Sequence, residues 1–236
     1  QLTADYAFGT ALEHTTTEAV KQAGGQVVGS ARHPLGTSDF SAFLLDAQSS
    51  GANVLGLENA GGDTTTALKQ AAEFGLAGHM IFAGPVININ MVQALGLPAS
   101  QGLLITTPFY WDMNDGTRAF ARRFAERHPR HNMPNDMQAG VYSGVLAYLA
   151  AVGKLGGHED DGRAVVAAMK AAPSHDPVYG ETVIRADGRA LHPVYVLQTK
   201  ATADSHSPWD VLQLIATIPP ERAWRPLADG NCPLVH

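Results

Sequence analysis

Apolar residues fall into two kinds of run over the first 107 positions. Short runs of strand length cover Leu2–Tyr6, Gln26–Ser30, Asn53–Leu57, His79–Ala83 and Gly102–Thr107. Between them, apolar positions recur every three or four residues, the helical spacing. Leu12, Thr16, Ala19, Val20 and Ala23 predict a helix near Thr10–Ala23, ended by Gly24-Gly25. Phe40, Phe43, Leu44 and Ala47 predict a second over Asp39–Gln48, and Ala67, Leu68, Ala71 and Ala72 a third that runs to Phe74. A short helix is expected near Asn90–Leu95. Strands alternating with helices of this length predict an α/β fold, a parallel sheet with helices on both faces.

The pattern changes at Thr107-Pro108-Phe109-Tyr110-Trp111-Asp112, where aromatics beside a proline suit a chain crossing between lobes. Helices are then predicted near Asp115–Arg127, Asp136–Leu155 and Gly162–Ala172. The second carries Val141, Val145, Tyr148, Leu149 and Val152 on one face. Asp187-Gly188-Arg189 is a turn signal. Val194–Thr199 and Trp209–Ile218, joined by the polar linker Lys200–Pro208, predict an antiparallel pair. The tail Ala223–His236 is irregular and rich in proline.

Composition narrows the class. Hydrophobic residues make up 45% and charged residues 16%, as in a protein with a substantial core. A net charge of −6 argues against a nucleic-acid surface. No apolar run reaches the length of a membrane span. The chain opens on Gln1-Leu2-Thr3 with no signal peptide, and a cleaved one leaves no trace. Cys232 is the only cysteine, too few for an internal disulfide or a cysteine-only zinc site.

The most informative stretch is Val54-Leu55-Gly56-Leu57-Glu58-Asn59-Ala60-Gly61-Gly62-Asp63-Thr64. An apolar strand stops at a glycine turn, and Asp63 or Thr64 can cap the helix that follows. Such a turn sits where open α/β sheets bind ligands. It offers main-chain N–H groups and no reactive side chain, which points to binding rather than chemistry. A phosphate cradle competes with a carboxylate site and with a plain turn. No P-loop, G-x-G-x-x-G or G-x-S-x-G motif is present. Asp5, Asp39 and Asp63 stand beside helix starts, where capping is the expected role. His128 and His131 are separated by Pro129-Arg130 and do not share a helical face, so no metal site is expected. Arg122, Arg123, Arg127 and Arg130 read as a solvated face. Tyr6, Phe8, Tyr110 and Trp111 lie at or just beyond strand ends, either stacking on a ligand or packing in the core. No cofactor is implied.

Taken together, several blocks resemble a known family: Ala4-Asp5-Tyr6-Ala7-Phe8-Gly9, the run Arg32 to Phe40, Asn59–Thr64, Gln101-Gly102-Leu103, Phe109–Asp112, Ala139–Ser143 and Asn231–Leu234. The chain resembles the type I periplasmic-binding fold, in the branch of solute-binding proteins related to the leucine/isoleucine/valine-binding protein of ABC transporters. That family has two lobes joined by three crossovers, with the ligand in the cleft. The resemblance implies that residues 1–108 and 190–236 form the second lobe. Residues 109–189 would be a hinge crossover and helices of an incomplete first lobe. It implies a periplasmic receptor that works with a membrane permease and performs no chemistry. The ligand site would draw on Tyr6, Phe8, Asn59, Ala60, Gly61, Val86, Asn88 and Tyr110. Val86 falls where amino-acid binders carry an acidic partner for the ligand ammonium, so an amide or an aromatic carboxylate is as compatible as an amino acid. Cys232 would pair with a cysteine in the missing part, and a homodimer is one way to cover the incomplete lobe. A signalling sensor with the same fold and a small-molecule α/β enzyme remain open alternatives.

Overall fold

Residues 1–157, 160–230, 232, 233 and 235 are described by a computed structural model. Asn231 and Leu234, part of the last block above, lie outside the described residues, as does His236 of the tail. The described chain separates into two compact units, Gln1–Thr107 with Val196–Ile215, and Pro108–Tyr195 with Ala216–His236.

The first unit is built on a seven-stranded sheet. In chain order its elements are β1 (Leu2–Ala4), α1 (Ala7–Gln22), β2 (Ala31–His33), α2 (Ser41–Ser49), β3 (Val54–Glu58) and α3 (Gly61–Glu73). They are followed by β4 (Ile81–Gly84), α4 (Ile89–Leu95), α5 (Leu97–Ser100) and β5 (Leu104–Thr107). The strand order is 2-1-3-4-5, extended past β5 by two later strands, and each pair among the first five is parallel. Crossovers of this kind are right-handed. The helix α1 leads from β1 to β2, while α2, α3, α4 and α5 lead the chain the opposite way, so the two sets cover opposite faces. Contacts of α1 with β1 and β3, and of α3 with α2, α4 and α5, agree with that division. Leu2, Leu44, Leu57, Ala67, Ala71 and Ile105 are among the buried residues of its core.

Of the boundaries that move, two bear on the site. The strand expected over Gln26–Ser30 lies instead at Ala31–His33, because β1 is its partner and offers only Leu2, Thr3 and Ala4 for pairing. Val28, which suggested the earlier position, is exposed. The first helix begins at Ala7 rather than Thr10, which puts Phe8 in its first turn instead of beside a strand end.

The second unit contains α6 (Asp115–Arg127), α7 (Asp136–Lys154) and α8 (Gly162–Lys170), close to the predicted spans. Asn114 and Asn135 open the first two with reciprocal capping boxes to Thr117 and Gln138. Phe109, Phe120, Ala139 and Val178 form the core, with Phe124, Tyr142 and Tyr179 packed against it. A three-stranded antiparallel sheet, β6 (Ser174–Asp176), β7 (Gly180–Ile184) and β8 (Ala190–Leu191), was not expected. Its strands are too short and mixed in polarity to show a period. The turn signal at Asp187-Gly188-Arg189 is its β7–β8 turn, closed by Arg185 N–H on Arg189 C=O at 2.9 Å. The Arg185 guanidinium grips both oxygens of Asp187 at 2.9 and 2.7 Å and holds that carboxyl well below the usual range.

The last strands are β9 (Val194–Thr199) and β10 (Leu212–Ile218), neighbours at the edge of the large sheet. Lys200 N–H donates to Val211 C=O at the base of their loop, the geometry of an antiparallel hairpin. A final short helix, α9 (Pro220–Ala223), precedes Trp224, whose indole N–H donates to His192 C=O at 2.9 Å.

His192 is stacked on Tyr179 with ring centroids 4.2 Å apart and meets Trp224 edge-on at 5.1 Å. Burial lowers its pKa, and Arg189 adds to the effect while the Pro193 carbonyl and Asp176 oppose it. The unfolded chain therefore binds the proton first as pH falls. Stability is at its full value above about pH 6.5 and drops as pH is lowered through the folded pKa. Thermal melts are expected to show this loss in the native chain and a smaller one in His192→Phe.

Candidate ligand-binding site

The strand order reverses between β1 and β3. From β1 the chain moves to β2 over one face; from β3 it moves to β4 over the other. The segments leaving the two carboxyl ends diverge, and a crevice opens between them, the position where open α/β sheets take ligands. Residues 5–8 and 59–61 occupy that position.

Both helices that start there lack a side-chain cap. Tyr6 is the N-cap residue of α1 and Ala60 that of α3, and neither side chain bonds to the first turn. Gly61 has φ +61°, a left-handed conformation that side chains strain. Asp63 and Thr64, expected as caps, do other work. The Asp63 carboxylate accepts Gly36 N–H at 3.1 and 3.3 Å, and the Thr64 hydroxyl donates to Asn59 Oδ1 at 2.7 Å. By contrast α4 is capped by Asn88, whose Oδ1 accepts from Asn90 N–H and Met91 N–H. First-turn amides carrying partial positive charge are thus left uncapped by side chains at β1 and β3 and are covered at β4.

Tyr6 and Phe8 form a tilted pair, centroids 5.8 Å apart, 39% and 40% exposed. Gly9 seats them. A Cβ on Gly9 would lie 2.1 Å from Ala4 C=O oxygen and 3.1 Å from that of Glu58, so α1 rests directly on the ends of β1 and β3. Glu58 itself is buried, and burial pushes its carboxyl above the ordinary range, partly offset by a bond with Thr16. Asn59 is 1% exposed, and its amide bridges His33 Nε2 and Thr64. Its side chain is therefore engaged inside the wall.

The remaining candidates are dispersed. Val86 is half-buried in the loop after β4, beside β3. Tyr110 is buried and belongs to the second unit. Asp39 does assist a helix start, accepting Ser41 N–H at 2.9 Å, and hydrogen bonding from the Ser41 side chain, then from its N–H, lowers the pKa of its carboxyl. Asp5 makes no cap and lies 3.6 Å from Arg32. His128 and His131 turn back on the end of α6. The first accepts Arg130 and Asn132 N–H at 3.3 Å, and the second is 2.9 Å from Ala125 C=O. Among the described residues no cluster of histidine, cysteine, aspartate or glutamate is arranged to hold a metal ion.

Residues 1–204 match the profile of a family described as periplasmic binding protein. The chain belongs to the periplasmic binding protein family.

Solved structures agree. A periplasmic binding protein from Burkholderia mallei superposes with a TM-score of 0.91 at 44% identity, covering 100% of this chain and 61% of its own. A branched chain amino acid ABC transporter periplasmic ligand-binding protein from Burkholderia xenovorans LB400 gives 0.88 at 36% identity, covering 99% and 62%. An ABC-transporter solute binding protein from Rhodopseudomonas palustris BisB5, solved with 3,4-dihydroxy benzoic acid, shares the fold at 23% identity and a TM-score of 0.79, covering 93% and 59%. This chain thus spans about three-fifths of the length of these relatives. No curated protein matches the sequence at a significant level.

For a periplasmic binding protein the arrangement has a direct chemical reading. Exposed aromatic faces offer apolar contact, and uncapped helix starts offer hydrogen-bond donors to a carbonyl or carboxylate. His33 and Thr64 hold the glycine turn from behind, a role the sequence does not show: it offers Thr64 as a helix cap and gives His33 no function. A histidine followed by proline at a strand end carries no sign of its partner 26 residues away.

Proposed function

We propose that this periplasmic binding protein is the greater part of a solute receptor for an ABC importer, one that captures a small organic ligand and does not transform it. The observation that carries the reading is the pair of uncapped helix starts, with the exposed Tyr6–Phe8 pair, at the strand-order reversal of the first unit. The ligand is an amino acid, an amide or an aromatic carboxylate. The loop Pro85-Val86-Ile87-Asn88 after β4 has no acidic side chain to pair with an ammonium, which favours the last two. Tyr6, Phe8, Ala60, Gly61, Val86 and Asn88 line the first unit's share of the site in this reading, and Asn59 supports it from within.

In the same reading, residues 1–108 and 190–236 form the second lobe, and 109–189 supply the crossover and helices of the first. Val141, Val145 and Leu149 on α7 are 68%, 50% and 56% exposed. An apolar stripe of that kind calls for a cover. The relatives' extra length favours the remainder of a longer chain over a second copy of this one, and the same remainder would hold a cysteine for Cys232 in the oxidising periplasm. No helix among the described residues is long and apolar enough to cross a membrane.

The test is a thermal-shift panel of L-leucine, 4-methylpentanamide and benzoate on the full-length gene product. A ligand that binds only the native state raises the melting temperature with its concentration. Benzoate or 4-methylpentanamide, neither of which carries an ammonium group, is expected to stabilise more than leucine. Stabilisation by leucine alone would overturn the ligand class, and turnover of any of the three would overturn the receptor reading.

A further inference from the structure

A chain of side-chain hydrogen bonds runs behind the glycine turn. His33 ends β2, Asn59 follows β3, and β1 lies between those strands. Two strand spacings, roughly 9–10 Å, separate β2 from β3. The His33 ring and the Asn59 amide bridge that gap over the end of β1, with His33 Nε2 and Asn59 Nδ2 3.1 Å apart. Thr64 in the first turn of α3 completes the line by donating to Asn59 Oδ1 at 2.7 Å. His33, Asn59 and Thr64 are 0%, 1% and 0% exposed.

The protons can be assigned. His33 Nδ1 is 2.9 Å from Pro34 C=O, which only accepts, so Nδ1 carries hydrogen. In the neutral ring Nε2 then accepts, and Asn59 must turn its NH2 toward His33 and its oxygen toward Thr64. Every polar atom of the line has one role. Phe40 meets the His33 ring edge-on at 4.9 Å and prevents it from swinging.

We propose that His33, Asn59 and Thr64 form a positioning relay that sets the pose of Ala60, Gly61 and Gly62 and thereby the affinity of the crevice. This rests on the receptor reading above. All three side chains are buried. They act through the turn, whose amides must point at the ligand before it arrives. Loss of one bond leaves the other members buried without partners, and the turn gains freedom that binding must then remove.

Thr64→Val and Thr64→Ser in the full-length protein test the proposal. The probe is whichever of benzoate, 4-methylpentanamide or L-leucine gives the largest melting shift with the native protein, and its affinity is measured by calorimetry. Valine keeps the volume and removes the donor; serine restores the donor. Probe binding is expected to weaken about tenfold in Thr64→Val and to stay within about twofold in Thr64→Ser. Equal affinity in Thr64→Val and the native protein overturns the relay. Nitrogen-15 spectra of the His33 ring and amide exchange at residues 60–62 give a second readout that needs no ligand. The Nδ1–H tautomer in the native protein, with faster exchange at the turn in Thr64→Val only, supports the relay. An Nε2–H tautomer, or unchanged exchange, overturns it even if all three probes fail to bind, a failure that would count against the ligand class instead.

Discussion

Replacing Gly9 by alanine is expected to destabilise the protein by about 3 kcal/mol, at the upper end of the usual cost of overpacking. The added methyl would meet the Ala4 carbonyl oxygen at 2.1 Å, the Ala4 carbonyl carbon at 3.0 Å and the Glu58 oxygen at 3.1 Å. All three are backbone atoms at the ends of paired strands, so no side chain can rotate away. Relief requires α1 to lift from β1 and β3. For a chain of this size the loss corresponds to a melting temperature lower by roughly 6–12 °C. Lifting α1 would also displace Phe8, so the surviving folded fraction should bind probe ligands poorly. Gly29→Ala, away from the crevice, is the control, since a methyl there also meets nothing within 4 Å. A Gly9→Ala protein that melts with the native one would show that α1 does not rest on the strand ends as described.

The adjacent position separates binding from stability. Phe8→Ala is expected to leave the melting temperature nearly unchanged, because the ring is 40% exposed and contributes little to the core. Its effect should fall on affinity. A large aromatic wall at the centre of a site is typically worth 2 kcal/mol or more, so calorimetry should record a loss of roughly thirtyfold for the best probe. Phe8→Leu should lie between, since it keeps apolar area and loses the flat face. Affinity within about twofold of native in Phe8→Ala would remove Phe8 from the site.

The contrast between Gly9 and Phe8 shows where sequence reasoning reached and where it stopped. The α/β class, the second group of helices and the strand-to-turn segment at 54–61 were legible because each is a local pattern of apolar spacing and turn residues. So was the hairpin turn at Asp187-Gly188-Arg189. The position of β2 was not, because its limits come from the three residues that β1 offers for pairing. The antiparallel strands β6, β7 and β8 were hidden for a similar reason, as short segments with no period of their own. Asp63 and Thr64 were read as caps from their positions, and instead reach Gly36 and Asn59, partners brought near only by the folded sheet.

Local spacing alone therefore determined that this chain would form strands followed by helices, with a glycine turn free of reactive groups at one strand end. That is short-range physics: helical and strand periods, turn conformations and the lack of any catalytic motif. Tertiary structure decided that β1 and β3 would be neighbours at the reversal of strand order, that α1 and α3 would start there uncapped, and that His33 would reach across β1 to Asn59. Those facts depend on which strands pair and on how closely a helix can approach a backbone, and pairing joins residues dozens of positions apart that carry no mark of one another in the linear chain.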